Sequence, residues 1–285
     1  MIPEVARLPR ANILGVGVHA INMRSAVEYL DNCLSSEAKG YVCVTGVHGV
    51  MESLRSAEFR RILDRALLVA PDGMPMVWIG RLQKYKNMRR VFGPEFMLAA
   101  CARLTCTHFL YGGKPGVADE LRRRLEQWFP GIRIVGTVTP PFRPLNLQEQ
   151  HRLQDRIAKV RPDIIWLGLS TPKQEKFMAD NIHQLDCKLM IGVGAAFDIH
   201  TGRLRDAPLW IKYVGLQWLH RLCQEPGRLW KRYLLNNPSF IWHLGLQITR
   251  IRSYELSGSP LSAAPALKLP EPSTAQSCAM HEAST

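Results

Sequence analysis

The chain has 285 residues, 46% of them hydrophobic and 21% charged, a balance that excludes a disordered chain and suits one large domain or two modest ones. Its Lys and Arg exceed its Asp and Glu by 13, so it should attract something anionic: nucleic acid, acidic lipid headgroups or phosphorylated small molecules. The seven cysteines form no CxxC pair and mostly fall in apolar segments, which points to buried thiols in a reducing compartment rather than a zinc site.

In chain order, MIPEVARLPR lacks the apolar core of a signal peptide, and no run approaches the ~18 apolar residues of a membrane span. The chain is therefore expected in the cytoplasm, touching a membrane without crossing it. ANILGVGVHAINM predicts a short strand and turn, MRSAVEYLDNCL a helix and YVCVTGV (41–47) a strand. MESLRSAEFRRILDRA reads as one helix, its apolar positions recurring near the 3.6 period. LLVAPDG follows as strand and turn. Then come helix 95–106, strand 108–113, helix 116–129, strand 131–136, helix 147–160, strand 163–170, helix 173–184 and strand 188–194. Strands apolar on both faces and separated by helices predict a doubly wound α/β core over residues 1–200, its largely parallel sheet covered by helices on both faces. The Pro-rich TPPFRPLN (139–146) is a loop within it. Residues 201–250 hold eight Arg/Lys, two Asp/Glu and four Trp, and predict a basic helical C-terminal appendage. The Ser-, Ala- and Pro-rich remainder, 251–285, predicts a disordered tail.

Several strand exits carry candidate chemistry. Asp72 ends the LLVA run beside a glycine; Asp-Gly is a common turn pair, but strand ends of α/β sheets are also where ligands bind. In YGGKPG (111–116), Gly112 and Gly113 form either a plain turn or a loop whose N–H groups hold phosphate, with Lys114 adding a charge. It is neither GxGxxG nor a P-loop. In LGLSTPKQEKFM, Ser170 or Thr171 can cap the helix, while Gln174 is free to hydrogen-bond a polar ligand. Asp198 and His200 are too few for a metal site, and Asp198 more readily anchors its loop or pairs with Arg203 and Arg205. His48 is a proton carrier by type, or a hydrogen-bonded loop histidine. In segment 209–238, Arg221, Arg228, Lys231 and Arg232 are interleaved with Trp218, Trp230 and Tyr233. This favours a pyrophosphate or membrane-surface module over nucleic acid, for which no RRM, KH or finger pattern exists, and over plain packing on the core.

The segments DGMPMVW, RRVFGPEFM, YGGKPG, PDIIWLGLSTPKQEKF and GVGAAFDIHTGRLRDAPLWIKYVGLQWLHRLCQEPGRLWKRY (192–233) occur in that order. On them the chain resembles the WecG/TagA/CpsF glycosyltransferases over roughly residues 12–245. The resemblance implies a bacterial enzyme that moves a sugar from a UDP-sugar to a polyprenyl-pyrophosphate-linked glycolipid in cell-surface polysaccharide synthesis, by an inverting single displacement. It implies a modified Rossmann-like core with Asp72 as catalytic base and with Arg90 and Gln174 in the substrate pocket. The appendage would bring the enzyme to the anionic inner membrane surface and close over the pocket, with Arg221, Arg228 and Arg232 on the phosphates. Lys212 and Lys231 would supply the surface attraction. Many members carry Thr-x-Asn at the end of the second strand. Here Val44-Thr45-Gly46 lacks the Asn and moves the Thr one place, to the opposite face of a strand, leaving Thr45 or His48 to substitute. The donor stays open between hexosyl and N-acetylhexosaminyl types.

With no DxD pair and no His/Cys/carboxylate cluster, the expected mechanism uses no metal and no cofactor. No nucleic-acid partner is expected, and a homo-oligomer is allowed. The α/β core is expected to stay folded if the chain is cut near residue 200. A dehydrogenase or phosphotransferase on a similar core would lack its dinucleotide or Walker sequence. A non-catalytic anionic-membrane or RNA-binding protein would leave Asp72, Arg90 and Gln174 unexplained.

Overall fold

The computed structural model describes residues 8–36 and 38–256, so the tail expected to be disordered lies outside the described residues from 257 onward. Strands β1 (Arg10–Ile13) and β2 (Val16–His19) form an antiparallel hairpin that turns through Leu14 and Gly15, both at positive φ. Helix α1 (Met23–Ser35) opens on a reciprocal cap: the Asn22 side chain accepts from the Ser25 N–H, and the Ser25 hydroxyl accepts from the Asn22 N–H. After β3 (Gly40–Thr45), the single helix expected over 51–66 is two, α2 (Val47–Arg55) and α3 (Ala57–Arg65). The break falls at Ser56, which takes an extended conformation and caps α3 by accepting from the Phe59 N–H.

Strand β4 (Leu68–Pro71) leads through Asp72-Gly73 into α4 (Met74–Leu82), a helix missing from the expected elements. Its sequence is apolar nearly all round and holds Pro75 and Gly80, so it shows no helical stripe; a proline in the first turn is nonetheless compatible with a helix. The rest of the core alternates as expected: α5 (Gly93–Arg103), β5 (Thr107–Gly112), α6 (Val117–Trp128), β6 (Arg133–Val138), α7 (Leu147–Val160), β7 (Ile164–Gly168), α8 (Lys173–Asn181) and β8 (Leu189–Gly192). Helices α9 (Ala196–His200), α10 (Leu209–Tyr213), α11 (Gln217–Gln224) and α12 (Pro226–Ile248) follow.

Six strands make one parallel sheet in the order β4-β3-β8-β7-β5-β6. Successive side chains of a strand point to opposite faces, so the sheet divides two cores. Val42, Val44, Trp166 and Ile191 pack with α1, α5 and α6 on one face. Tyr41, Cys43, Leu167 and Met190 pack with α2, α3, α8 and the hairpin on the other.

The C-terminal helices close down on this core. Leu229, Asn236 and Phe240 of α12 are buried, and Phe240 and Tyr254 join the core on the α2 face. Gln247 accepts from the Leu14 N–H and donates to the Asn12 carbonyl, both at 3.0 Å. The Asn12 amide in turn donates to the Tyr254 carbonyl at 2.7 Å. Among the described residues no helix is long and apolar enough to cross a membrane.

Candidate active site

The carboxyl ends of β3, β4, β5, β7 and β8 open into one cleft of about 1660 Å³, walled on the far side by α11 and α12. Loops at this edge of a parallel sheet are where α/β folds bind ligands. Asp72 enters it at the end of β4. Its backbone N–H donates to the Thr45 carbonyl at 2.9 Å, and a Cβ on Gly46 would lie 2.8 Å from the Asp72 carbonyl oxygen, so only glycine lets the two strand exits approach so closely. Burial pushes the Asp72 carboxyl up to about 6; Arg90 and Arg221 work against that rise and Glu95 adds to it. A carboxylate that ionises near neutrality is suited to take a proton at physiological pH.

Arg90 also lines the cleft. It makes a forked pair with Glu95, at 2.9 and 3.0 Å, and donates to Gln217 of α11 at 2.8 Å. Glu95 is shared with Lys212, whose ammonium sits 2.9 Å from it and also pairs with Asp206. Lys212 is therefore buried in a core-to-appendage ion network, which corrects its expected place on a membrane-facing surface. The physical reason is the pair of carboxylates, one from each side, that compensates its burial.

Arg221, Arg228 and Arg232 all line the cleft. Arg221 and Arg228 share Glu225, at 3.0 and 2.5 Å, and Arg232 donates to the Thr171 carbonyl at 3.2 Å. Lys231 does not join them; its ammonium lies 5.5 Å from the centre of the Trp230 ring, outside the cleft.

His48 stands in the first turn of α2. Its Nδ1 accepts from the Asn236 amide at 2.9 Å, an orientation set because Arg55 donates to the amide oxygen of Asn236 at 2.6 Å. The proton of the neutral ring is thus assigned to Nε2, which is buried and has no hydrogen-bond partner. Burial, with Arg232 and Arg55 beside it, holds the imidazole down to about 4, against a backbone contact at Thr171. Near neutral pH the ring is an uncharged donor. Thr45 lies beneath: its methyl would meet a Cβ on Gly49 at 2.8 Å, its hydroxyl is buried without a partner, and it does not line the cleft.

The glycine turn after β5 takes positive φ at both Gly112 and Gly113. A Cβ on Gly112 would lie 2.7 Å from the Gly168 carbonyl oxygen, and the Gly113 N–H donates to that same oxygen at 3.2 Å. That N–H is occupied by the neighbouring strand exit. Gly113 and Lys114 line the cleft, whereas Gly112 does not. Gln174 lines it from the buried side, accepting from the Gly194 N–H and donating to Glu175, both at 3.1 Å, and so ties the β7 exit to the β8 exit. The expected cap on α8 is absent: Pro172 occupies the N-cap position, and the Thr171 hydroxyl donates to Glu175 at 2.8 Å instead. Asp198 lines the cleft from α9. Of its expected partners, Arg203 pairs instead with Glu120 at 2.6 Å. His200 is buried on the Pro94 carbonyl, and among the described residues no group of three His, Cys, Asp or Glu could hold a metal ion.

Asn236, absent from the sequence expectations, orients His48. Tyr233, expected only as an aromatic among the basic residues, lines the wall, and Glu175 is a buried carboxyl with one unpartnered oxygen, raised above its ordinary value by burial. The one local signal for Asn236 was a polar residue in step with Leu229 and Phe240 on one face of a long helix.

A sequence model described as the glycosyl transferase WecG/TagA/CpsF family matches residues 11–254. The N-acetylglucosaminyldiphosphoundecaprenol N-acetyl-beta-D-mannosaminyltransferase of Bacillus subtilis (strain 168) is 27% identical over 217 residues, which cover 75% of this chain and 82% of that enzyme. The enzyme of the same name from Bacillus spizizenii is 26% identical over 223 residues, 77% of this chain and 84% of its own.

Proposed function

The chain belongs to the WecG/TagA/CpsF family of glycosyltransferases, and from that premise we propose that it transfers a sugar from a UDP-sugar to a polyprenyl-pyrophosphate-linked sugar in envelope polysaccharide synthesis. The observation that carries this reading is Asp72: a carboxylate at a strand end, ionising near pH 6, in a cleft whose opposite wall bears three arginines. In the proposed step the acceptor hydroxyl attacks the anomeric carbon and its proton passes to the Asp72 carboxylate. The bond from that carbon to the UDP oxygen breaks with inversion, and the electron pair leaves with the diphosphate. Arg221, Arg228 and Arg232 offset the charge that develops there, a task that other enzymes give to a metal. Arg90 and Gln174 shape the pocket through their pairs with Glu95 and Gly194. His48 offers a neutral donor, and Gly113 and Asp198 complete the wall.

The sugar is of hexosyl or N-acetylhexosaminyl type, and the enzyme works on the inner face of the cell membrane, where its acceptor resides. The test is incubation with a panel of radiolabelled UDP-sugars and a short-chain prenyl-pyrophosphate-linked sugar. Label passing into the lipid fraction is the expected result. NAD reduction, phosphate transfer, or binding of UDP-sugar with no turnover on any acceptor would overturn the reading.

A further inference from the structure

We propose that α4 and the loop after it form a second docking surface for an anionic lipid bilayer, at the mouth of the cleft and distinct from the basic residues of the appendage. The inference deepens the reading above, because a lipid-borne acceptor must be met at a bilayer. From Gly73 to Pro94 the chain carries Arg81, Lys84, Lys86, Arg89 and Arg90 and not one Asp or Glu. Arg90 turns inward to Glu95. The other four are exposed, and none of them sits in an ion pair among the described residues. Two are held in place by backbone: Arg89 donates to the Lys86 carbonyl at 2.7 Å and Arg81 to the Met88 carbonyl at 3.3 Å. These contacts order the loop and leave its charge uncompensated.

Amid these cations Trp78 and Leu82, one turn apart on α4, are 46% and 72% exposed. Exposed tryptophan and leucine ringed by uncompensated Lys and Arg match a bilayer surface, which offers an apolar layer beneath anionic headgroups. The surface is continuous with the appendage. A Cβ on Gly215 would lie 2.7 Å from the Trp78 ring, so the turn bearing exposed Tyr213 and Val214 abuts α4. Trp78 and Leu82 also line the cleft, and α4 begins two residues after Asp72. A bilayer against α4 therefore lies at the opening through which a pyrophosphate-linked sugar reaches Asp72.

The test is co-sedimentation of the full chain with vesicles of phosphatidylglycerol and phosphatidylethanolamine, and with phosphatidylcholine vesicles, at low and high salt. Neutralising two headgroup-facing cations in Lys84→Gln/Lys86→Gln should weaken binding to the anionic vesicles about tenfold or more at low salt. UDP-sugar binding should be unchanged, since neither lysine lines the cleft. Trp78→Ser/Leu82→Ser should lower the binding that survives at high salt, where charge is screened. Arg123→Gln/Lys159→Gln removes the same charge from exposed positions elsewhere and should have little effect. An equal loss in that control, or unchanged binding in the Lys84/Lys86 variant, would overturn the proposal. So would tighter binding to single-stranded RNA than to vesicles, lost in the Lys84/Lys86 variant. The vesicle measurement needs no turnover, so a chain that docks but transfers no sugar would sink the proposed reaction and leave this surface standing.

Discussion

The side-chain amide of Asn236, on α12, donates to Nδ1 of His48, on α2, at 2.9 Å. Arg55, at the end of α2, holds the other side of that amide. Core and appendage are thus joined by a three-residue relay that fixes which nitrogen of His48 carries the proton. Together with the Arg90–Gln217 bond and the Lys212–Glu95 pair, it makes the appendage part of the cleft.

Removing the middle of the relay, in Asn236→Ala, leaves Nδ1 of His48 without its donor at a largely buried site, while Arg55, half exposed, keeps Glu52 at 3.8 Å. The expected cost is about 1–3 kcal/mol, the usual penalty for an unsatisfied buried group. A thermal melt checks it, with nitrogen NMR of the imidazole reporting loss of the single tautomer. An unchanged melt and unchanged imidazole signals would count against the relay.

Asp72→Asn should lower kcat by about 10²–10⁴-fold with UDP-sugar affinity little altered, the usual scale for a lost general base. In the unaltered chain, kcat/KM should fall as pH drops below about 6, where Asp72 takes up its proton. Stability runs the other way. A carboxyl raised in the folded state favours folding when protonated, and that contribution is lost as pH rises from about 4 through about 6. Asp72→Asn should therefore melt higher than the unaltered chain at pH 7.5, with the gap closing toward pH 4. Near-normal turnover in the variant would return Asp72 to a purely structural turn.

Lys212→Met should leave vesicle binding unchanged, because the ammonium is buried, and should instead loosen the appendage and lower turnover through Glu95 and Arg90. With Glu95 and Asp206 partly exposed, the stability loss should be modest, about 1–3 kcal/mol. Co-sedimentation and a melt separate this from a surface lysine, for which the two effects would be reversed.

Transfer should persist in EDTA. The chain has no DxD pair, and the cleft wall already supplies Arg221, Arg228 and Arg232 for a leaving diphosphate. Activity that vanishes with the chelator and returns only with added Mn²⁺ or Mg²⁺ would defeat this.

Cutting the chain near residue 200 should destabilise what remains, contrary to the expectation from strand positions alone. The cut strips Phe240 and Tyr254 from the core and leaves Asn12 and the Leu14 N–H without Gln247. The expected outcome is a lowered melting temperature or aggregation; a truncated core that melts like the full chain would show that these contacts contribute little.

Much of the fold was legible because its signals are local. Short continuous apolar runs mark β3, β5 and β7, and the 3.6 period marks α1, α6 and α7, each within a dozen or so residues of itself. The same reasoning placed Asp72 at a strand end, but Thr45, expected as a substitute for the missing Asn, is buried outside the cleft. Helix α4 escaped because an apolar run with Pro75 and Gly80 has no stripe to detect, and the break at Ser56 because the helical period continues across it. Partner choice was beyond any local signal. By type and charge Lys212 is a surface residue, and only the fold supplies Glu95, 117 residues away, to draw it inside. The chain by itself determined the sheet strands, most of its helices and the acid at the end of β4. Tertiary structure decided which side chains met, since the bond between His48 and Asn236 spans 188 residues and exists only once the sheet has assembled and α12 has packed back against α2.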